Sequence, residues 1–150
     1  MSTLQCSNIH FESTGNNRVQ YLGSNAFAFV AGGSNLMSIS TTGSSLNSGF
    51  TVTPGNLGTI SSGTTTLSAA SSNYQYYTNN GAHTIAAPSS DTAIDILVTN
   101  GASAGTITLS GFTAPSGGGG DTYATTNGQR FLLMVRRING ISTYMWKALQ

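Results

Sequence analysis

Gln129-Arg130-Phe131-Leu132-Leu133-Met134-Val135-Arg136-Arg137-Ile138-Asn139-Gly140-Ile141-Ser142-Thr143-Tyr144-Met145-Trp146-Lys147-Ala148 decides the fold class. An Asn-Gly step between two extended runs supplies two consecutive residues at positive φ, which a two-residue hairpin turn requires. That turn sets Ile138 opposite Ile141, Val135 opposite Tyr144, Leu133 opposite Trp146 and Phe131 opposite Ala148. Phe131, Leu133, Val135, Tyr144, Trp146 and Ala148 then share one face with Arg137 and Ser142, a large core surface. The other face sets Leu132, Met134, Arg136 and Ile138 against Lys147, Met145, Thr143 and Ile141. It is too apolar for free solvent and too basic for a dry core. Met and Arg are enriched at interfaces, so Met134, Arg136 and Met145 are candidate oligomer-interface residues. A solvated strand face with snorkelling stems is the alternative.

Working outward, three more Asn-Gly steps fall at Asn80-Gly81, Asn100-Gly101 and Asn127-Gly128. Short β-like runs at 64–68, 74–78, 83–86, 93–99, 105–110 and 122–125 lie between turn signals, the spacing of a β-sandwich. No segment carries a sustained 3.6-residue apolar period with caps, so helix is not expected. Residues 63–150 are expected to form an antiparallel, jelly-roll-like β-sandwich. Residues 1–45 read as a β-meander of about four strands, separated by Gly15-Asn16-Asn17, Gly23-Ser24-Asn25 and Gly32-Gly33-Ser34-Asn35. Alternation puts Phe27 and Phe29 on one pleat face and Ala26, Ala28 and Val30 on the other. Both faces are apolar, which points to burial on both sides, and a lobe of this size hardly covers two faces alone. Phe27, Phe29, Met37 and Ile39 are therefore further candidate interface residues. Residues 46–62, rich in Ser, Thr and Gly, read as a linker or an edge strand at 50–53 ahead of Pro54.

Only 6% of the 150 residues are charged, against about 25% in ordinary globular domains. The formal net charge of +1 gives no clustered cation surface for nucleic acid or anionic membrane. Six Tyr, six Phe and one Trp argue against disorder, which goes with few aromatics and high net charge. A near-neutral surface offers little repulsion against self-association. The single Cys6 makes no intrachain disulfide and is read as a small half-buried residue or an interchain partner. No apolar run approaches the ~20 residues of a membrane span, and the first residues show no export signal.

Chemistry-bearing patterns are sparse. His83, Asp91, Asp95 and many serines are available for a nucleophile, base and acid set, but no positioned nucleophile appears and alternation turns Asp95 outward. Catalysis is not expected. His10 and His83 match no metal spacing, and no cofactor or metal is expected. Gly117-Gly118-Gly119-Gly120-Asp121 precedes a strand-like run rather than the helix a phosphate loop needs, so it reads as a flexible surface loop. Tyr74 and Tyr76 share a face and precede Asn79 and Asn80, aromatic rings flanked by amides that suit a sugar. Tyr74, Tyr76 and Asn79 are thus candidate glycan or receptor contacts, with aromatic cross-strand pairing as the structural alternative.

Residues 8–17 and 27–43, with Phe27-Ala28-Phe29-Val30, Gly32-Gly33-Ser34 and Met37-Ser38-Ile39 ending in a Gly43 turn, resemble the β-repeats of tailed-bacteriophage fibre and appendage proteins. Ile96-Leu97-Val98-Thr99-Asn100, residues 105–112, Thr125-Thr126-Asn127-Gly128 and Tyr144-Met145-Trp146 resemble the small β-sandwich modules ending phage tail and head proteins. The charged residues usual around the Met are absent here, and no further repeats follow. The resemblance implies a homotrimeric virion structural protein, a short fibre, spike or capsid decoration. Its partners would be itself and other virion proteins of capsid, portal or tail. Such a protein assembles in the host cytoplasm and resides on the virion surface. A receptor- or carbohydrate-binding module of a tail fibre is the alternative.

Overall fold

A computed structural model of the chain describes residues 8–10, 16–23, 26–40, 43–47, 49 and 51–149. Every regular element among them is a strand. The chain divides into two compact units, 1–51 and 52–150.

The first unit is one antiparallel sheet whose spatial order follows the chain: β1 (Asn8–His10), β2 (Arg18–Gly23), β3 (Ala26–Ala31), β4 (Ser34–Ser40) and β5 (Gly43–Leu46). Gly32 and Gly33, at φ +56° and +80°, close the β3–β4 hairpin between the paired Ala31 and Ser34, as a tight turn demands. The fifth strand was not expected, because Gly43-Ser44-Ser45-Leu46 lacks the β-branched and aromatic residues that mark strands. Backbone pairing to β4 and a 2.7 Å hydroxyl contact between Ser38 and Ser45 hold it instead. The sheet's two faces differ. Ala28 and Val30 are buried, whereas Phe27 and Phe29 remain 37% and 45% exposed, so among the described residues the expected burial is seen for one face and not the other.

The second unit winds. Its strands are β6 (Gly55–Ile60), β7 (Thr64–Thr66), β8 (Tyr74–Asn79), β9 (His83–Ala86), β10 (Thr92–Asn100) and β11 (Ile107–Ser110), followed by β12 (Arg130–Ile138) and β13 (Ile141–Leu149). Alternate strands enter alternate sheets: β6, β8 and β10 pair in parallel, as do β7, β9 and β11. The chain thus makes three successive coils of two short strands each. The β12–β13 hairpin then adds antiparallel to β10, giving a five-stranded sheet in the order β13-β12-β10-β8-β6 beside a three-stranded one, β11-β9-β7. Two sheets around one core agree with a sandwich-like architecture. The expected antiparallel pairing holds only for β10, β12 and β13. It fails elsewhere because each crossover passes through the opposite sheet, which parallel neighbours need. Of the two readings of 46–62, the edge strand at 50–53 is not formed over its described residues, since 51–54 are irregular, and β6, which follows, is one edge of the five-stranded sheet.

Ile60, Leu67, Tyr77, Ile85, Ile94, Ile96, Val98, Phe131, Leu133, Val135 and Trp146 form the core. The terminal hairpin has the register read from its turn, from Ile138 opposite Ile141 to Phe131 opposite Ala148. Asn139 sits at φ +49° and Gly140 at +80°. The corners between coils need glycine for another reason. A Cβ on Gly81 would lie 2.1 Å from the Ser61 carbonyl oxygen, and one on Gly105 would lie 2.1 Å from the Ala82 nitrogen, so successive coils stack only where the side chain is missing.

Candidate interaction surface

Strand alternation turns the core residues of the five-stranded sheet inward and a second set outward. Register assembles the outward set into rows. Tyr74, Asp95, Met134 and Met145 lie side by side across β8, β10, β12 and β13. The next row holds Asn56, Tyr76, Leu97, Leu132 and Lys147. On the other side of the first row stand Ala93, Arg136 and Thr143. Two sets of expected contact residues, the Tyr74/Tyr76 pair and the Met134/Arg136/Met145 group, therefore occupy one continuous face. Tyr74, Tyr76, Leu97 and Met145 are all exposed there. Sequence reading turned Asp95 outward correctly but missed Leu97, because only pairing with β8 and β12 places it between Tyr76 and Leu132.

Charge is distributed unevenly over the second unit. Asp121 pairs with Lys147 at 2.9 Å, and Asp91 approaches Arg137 at 3.8 Å. Among the described residues Asp95, Arg130 and Arg136 make no ion pair, and all three belong to this outer face.

Asn79 does not belong to the surface. It is fully buried, because its position at the end of β8 faces the corner where the coils stack, beside Asn100 in register. Its amide donates to the Gly105 carbonyl at 2.8 Å and to the Asn100 Oδ1 at 3.2 Å, and also to the Tyr123 hydroxyl. Tyr123 donates to Asn100 Oδ1 at 2.5 Å. The Asn100 amide donates to the carbonyls of Ala124 and Thr126 at 2.8 and 3.1 Å. Burial pushes the Tyr123 hydroxyl's pKa above its ordinary value. The network ties the coil corners to the 111–129 connection and is structural. A signal for it lay in the sequence: Thr78-Asn79-Asn80-Gly81 and Thr99-Asn100-Gly101 recur one coil apart, each followed by a Thr-Ile pair, at 84–85 and 106–107.

His83 is likewise buried. Its Nδ1 lies 2.8 Å from the Gly81 carbonyl, which can only accept, so Nδ1 carries the proton. Nε2 then accepts from the Tyr77 hydroxyl at 3.0 Å, and burial holds the Tyr77 pKa far above its usual value. Both ring nitrogens are occupied. Cys6 and the side chain of His10 lie outside the described residues.

The glycine run is not a free loop. The Trp146 amide donates to the Gly119 carbonyl at 2.6 Å, and the Asp121 amide to the Trp146 carbonyl at 2.9 Å. A Cβ on Gly119 would meet the Tyr144 ring at 2.3 Å. The run is poor in side chains so that it can lie flat against the edge of β13. Asp121 completes the strap by accepting from Lys147 and from the Ala148 amide, and these bonds hold its carboxyl below the ordinary carboxylate range. Asp91 performs a similar task at the hairpin tip. It accepts from the Gly140 and Asn139 amides with Arg137 nearby, which lowers its pKa too.

In the first unit, register gathers the other candidates. Tyr21, Phe27 and Ile39 form one row, and Ile9, Val19, Phe29, Met37 and Leu46 form the next. Phe27 and Phe29 meet edge to face at 5.8 Å. A cleft of about 270 Å³ at the coil corners, lined by residues such as Ser68, Pro88, Ser89 and Asp91, holds none of the expected contacts. No protein-family model, curated protein or solved structure matches the chain.

Proposed function

We propose that this chain is a non-enzymatic structural protein of a bacteriophage virion, a short homotrimeric fibre, spike or capsid decoration. Its work is assembly: apolar sheet faces are covered by other chains, and hydroxyl- and amide-rich surface faces water. The observation that carries this reading is the exposed apolar face of the sheet described in the first unit. Its rows Tyr21-Phe27-Ile39 and Ile9-Val19-Phe29-Met37-Leu46 leave large apolar side chains in solvent. A sheet with an apolar face buries it against another element, and contiguous exposed apolar patches mark interaction sites. The phage-fibre resemblance of residues 8–17 and 27–43 supplies the virion context, with capsid, portal or tail proteins as neighbours. Light scattering at micromolar concentration tests the assembly, and a stable monomer would sink it. Imaging of particles carrying a labelled copy tests the location, with label on the particle surface expected.

A second reading is a host-attachment module that grips carbohydrate. The outward Tyr74 and Tyr76 rings beside Asn56 favour it. Loss of glycan or host-cell binding in Tyr76→Ala, with assembly intact, is its expected signature.

A further inference from the structure

We propose that the outer face of the five-stranded sheet is a contact between copies of this chain, with Asp95 of one copy paired to Arg136 of its neighbour. This rests on the self-association reading above and adds a second surface to the one in the first unit.

Area, composition and charge agree on the occupant. β10, β12 and β13 have nine residues each, and β6 and β8 have six. At ~3.3 Å per residue and ~4.8 Å between strands the face projects on the order of 600 Å², before side-chain relief raises the accessible area. A standard interface takes roughly 800 Å² from each partner. The apolar field is Tyr, Leu and Met, with Arg at its border, and Tyr, Met and Arg are residue types enriched at interfaces. A flat glycan platform would also use the tyrosines, but it has no need of an aliphatic and thioether field reaching from Leu97 across Leu132 and Met134 to Met145.

The charges specify the partner. Asp95 stands opposite Met134, and Arg136 stands opposite Ala93, so acid and base are diagonal neighbours across β10 and β12, roughly 7–8 Å apart. They make no ion pair with each other or with any other described residue. In a chain with four acids and five bases, an acid and a base on one apolar field are complementary to a second copy of that same field. Exchange between copies forms the pair twice about a two-fold axis, or once per interface around a ring.

The test uses the full chain. Sedimentation across the micromolar range is expected to show that Asp95→Arg and Arg136→Asp each raise the dissociation constant about tenfold or more. The double variant is expected to return it close to the wild-type value. Single variants without effect, or a double as weak as the singles, would overturn the pairing. Oxidative footprinting of the unmodified chain needs no variant to fold: Tyr74, Tyr76, Met134 and Met145 should lose reactivity in the oligomer relative to the dilute protein. An oligomer in which these four stay reactive overturns this inference and leaves self-association through the first unit standing. A monomer at all concentrations overturns both. Protection of a monomer that appears only on adding dextran assigns the face to carbohydrate and overturns the proposal.

Discussion

Both units of this chain consist of short strands, yet among the described residues only the second unit gathers an extended core. In the first unit each strand pairs with its chain neighbour, and among the described residues its buried apolar side chains are Ala28 and Val30. In the second the chain alternates between two sheets, and eleven apolar side chains meet between them. Strand content therefore does not measure stability. What matters is whether the path folds one apolar face onto another, since burial at roughly 25 cal/mol per Å² is the main favourable term against chain entropy. The first unit keeps Phe27 and Phe29 in solvent, and in the proposed assembly other chains cover them.

The largest effect should come from separating the two. Residues 52–150 expressed alone are expected to unfold cooperatively near the melting temperature of the whole chain. Residues 1–51 alone are expected to show no cooperative transition in dilute solution. A first unit that melts cooperatively as a monomer would erase the contrast.

Within the second unit, Phe131→Ala removes a fully buried ring that packs against Tyr123 and Trp146. It should cost about 3–5 kcal/mol in urea unfolding. Phe29→Ala in the first unit deletes the same atoms from an exposed site and should leave the unfolding of the second unit unchanged. Equal costs would mean that the two faces are equally covered.

A smaller loss is expected from Asn100→Ala, which leaves the carbonyls of Ala124 and Thr126 and the Tyr123 hydroxyl short of partners. Leaving such groups unpaired costs about 1–3 kcal/mol. Urea midpoints read against the wild type would measure it, and no change would remove the corner network from the account of stability.

The mildest effect is a dependence on pH. Asp91 and Asp121 both have folded-state pKa values lowered by hydrogen bonds from the hairpin tip and from β13. Their contribution is present above the unfolded value of about 3.9 and is lost as pH falls through the lower folded values. Melting temperatures between neutral and strongly acid pH should fall in that window, and Asp121→Asn should flatten part of the fall. A fall confined to pH well above the carboxylate range would point to other groups.

Much of this was legible in the chain. The turn at Asn139-Gly140 and strict alternation on either side carried the register of the terminal hairpin, its core face and its outward face, because both are set within a few residues. The outward placement of Met134, Arg136 and Met145 followed from the same rule, as did that of Tyr74 and Tyr76. What stayed hidden was which strands lie beside which. Tyr74 and Met134 are 60 positions apart in the chain, and only their common neighbour Asp95 on β10 joins them into one surface. Asn79 looked like a surface amide for the same reason: nothing local tells that another coil is stacked on it.

The Asn-Gly steps divide the two kinds of information most clearly. By itself the sequence determined an all-β chain, alternating faces and one hairpin. The tertiary structure decided that Asn139-Gly140 reverses the chain while Asn80-Gly81 and Asn100-Gly101 turn corners between sheets. The local chemistry of the three is the same, and the difference lies in where their backbone groups find partners. The tip amides of residues 139 and 140 reach Asp91. At the corners, the Asn80 amide reaches the Ile60 carbonyl and the Gly101 amide reaches the Asn79 carbonyl, both on the preceding coil. A buried backbone group must be paired, and only the wound chain brings those carbonyls within reach.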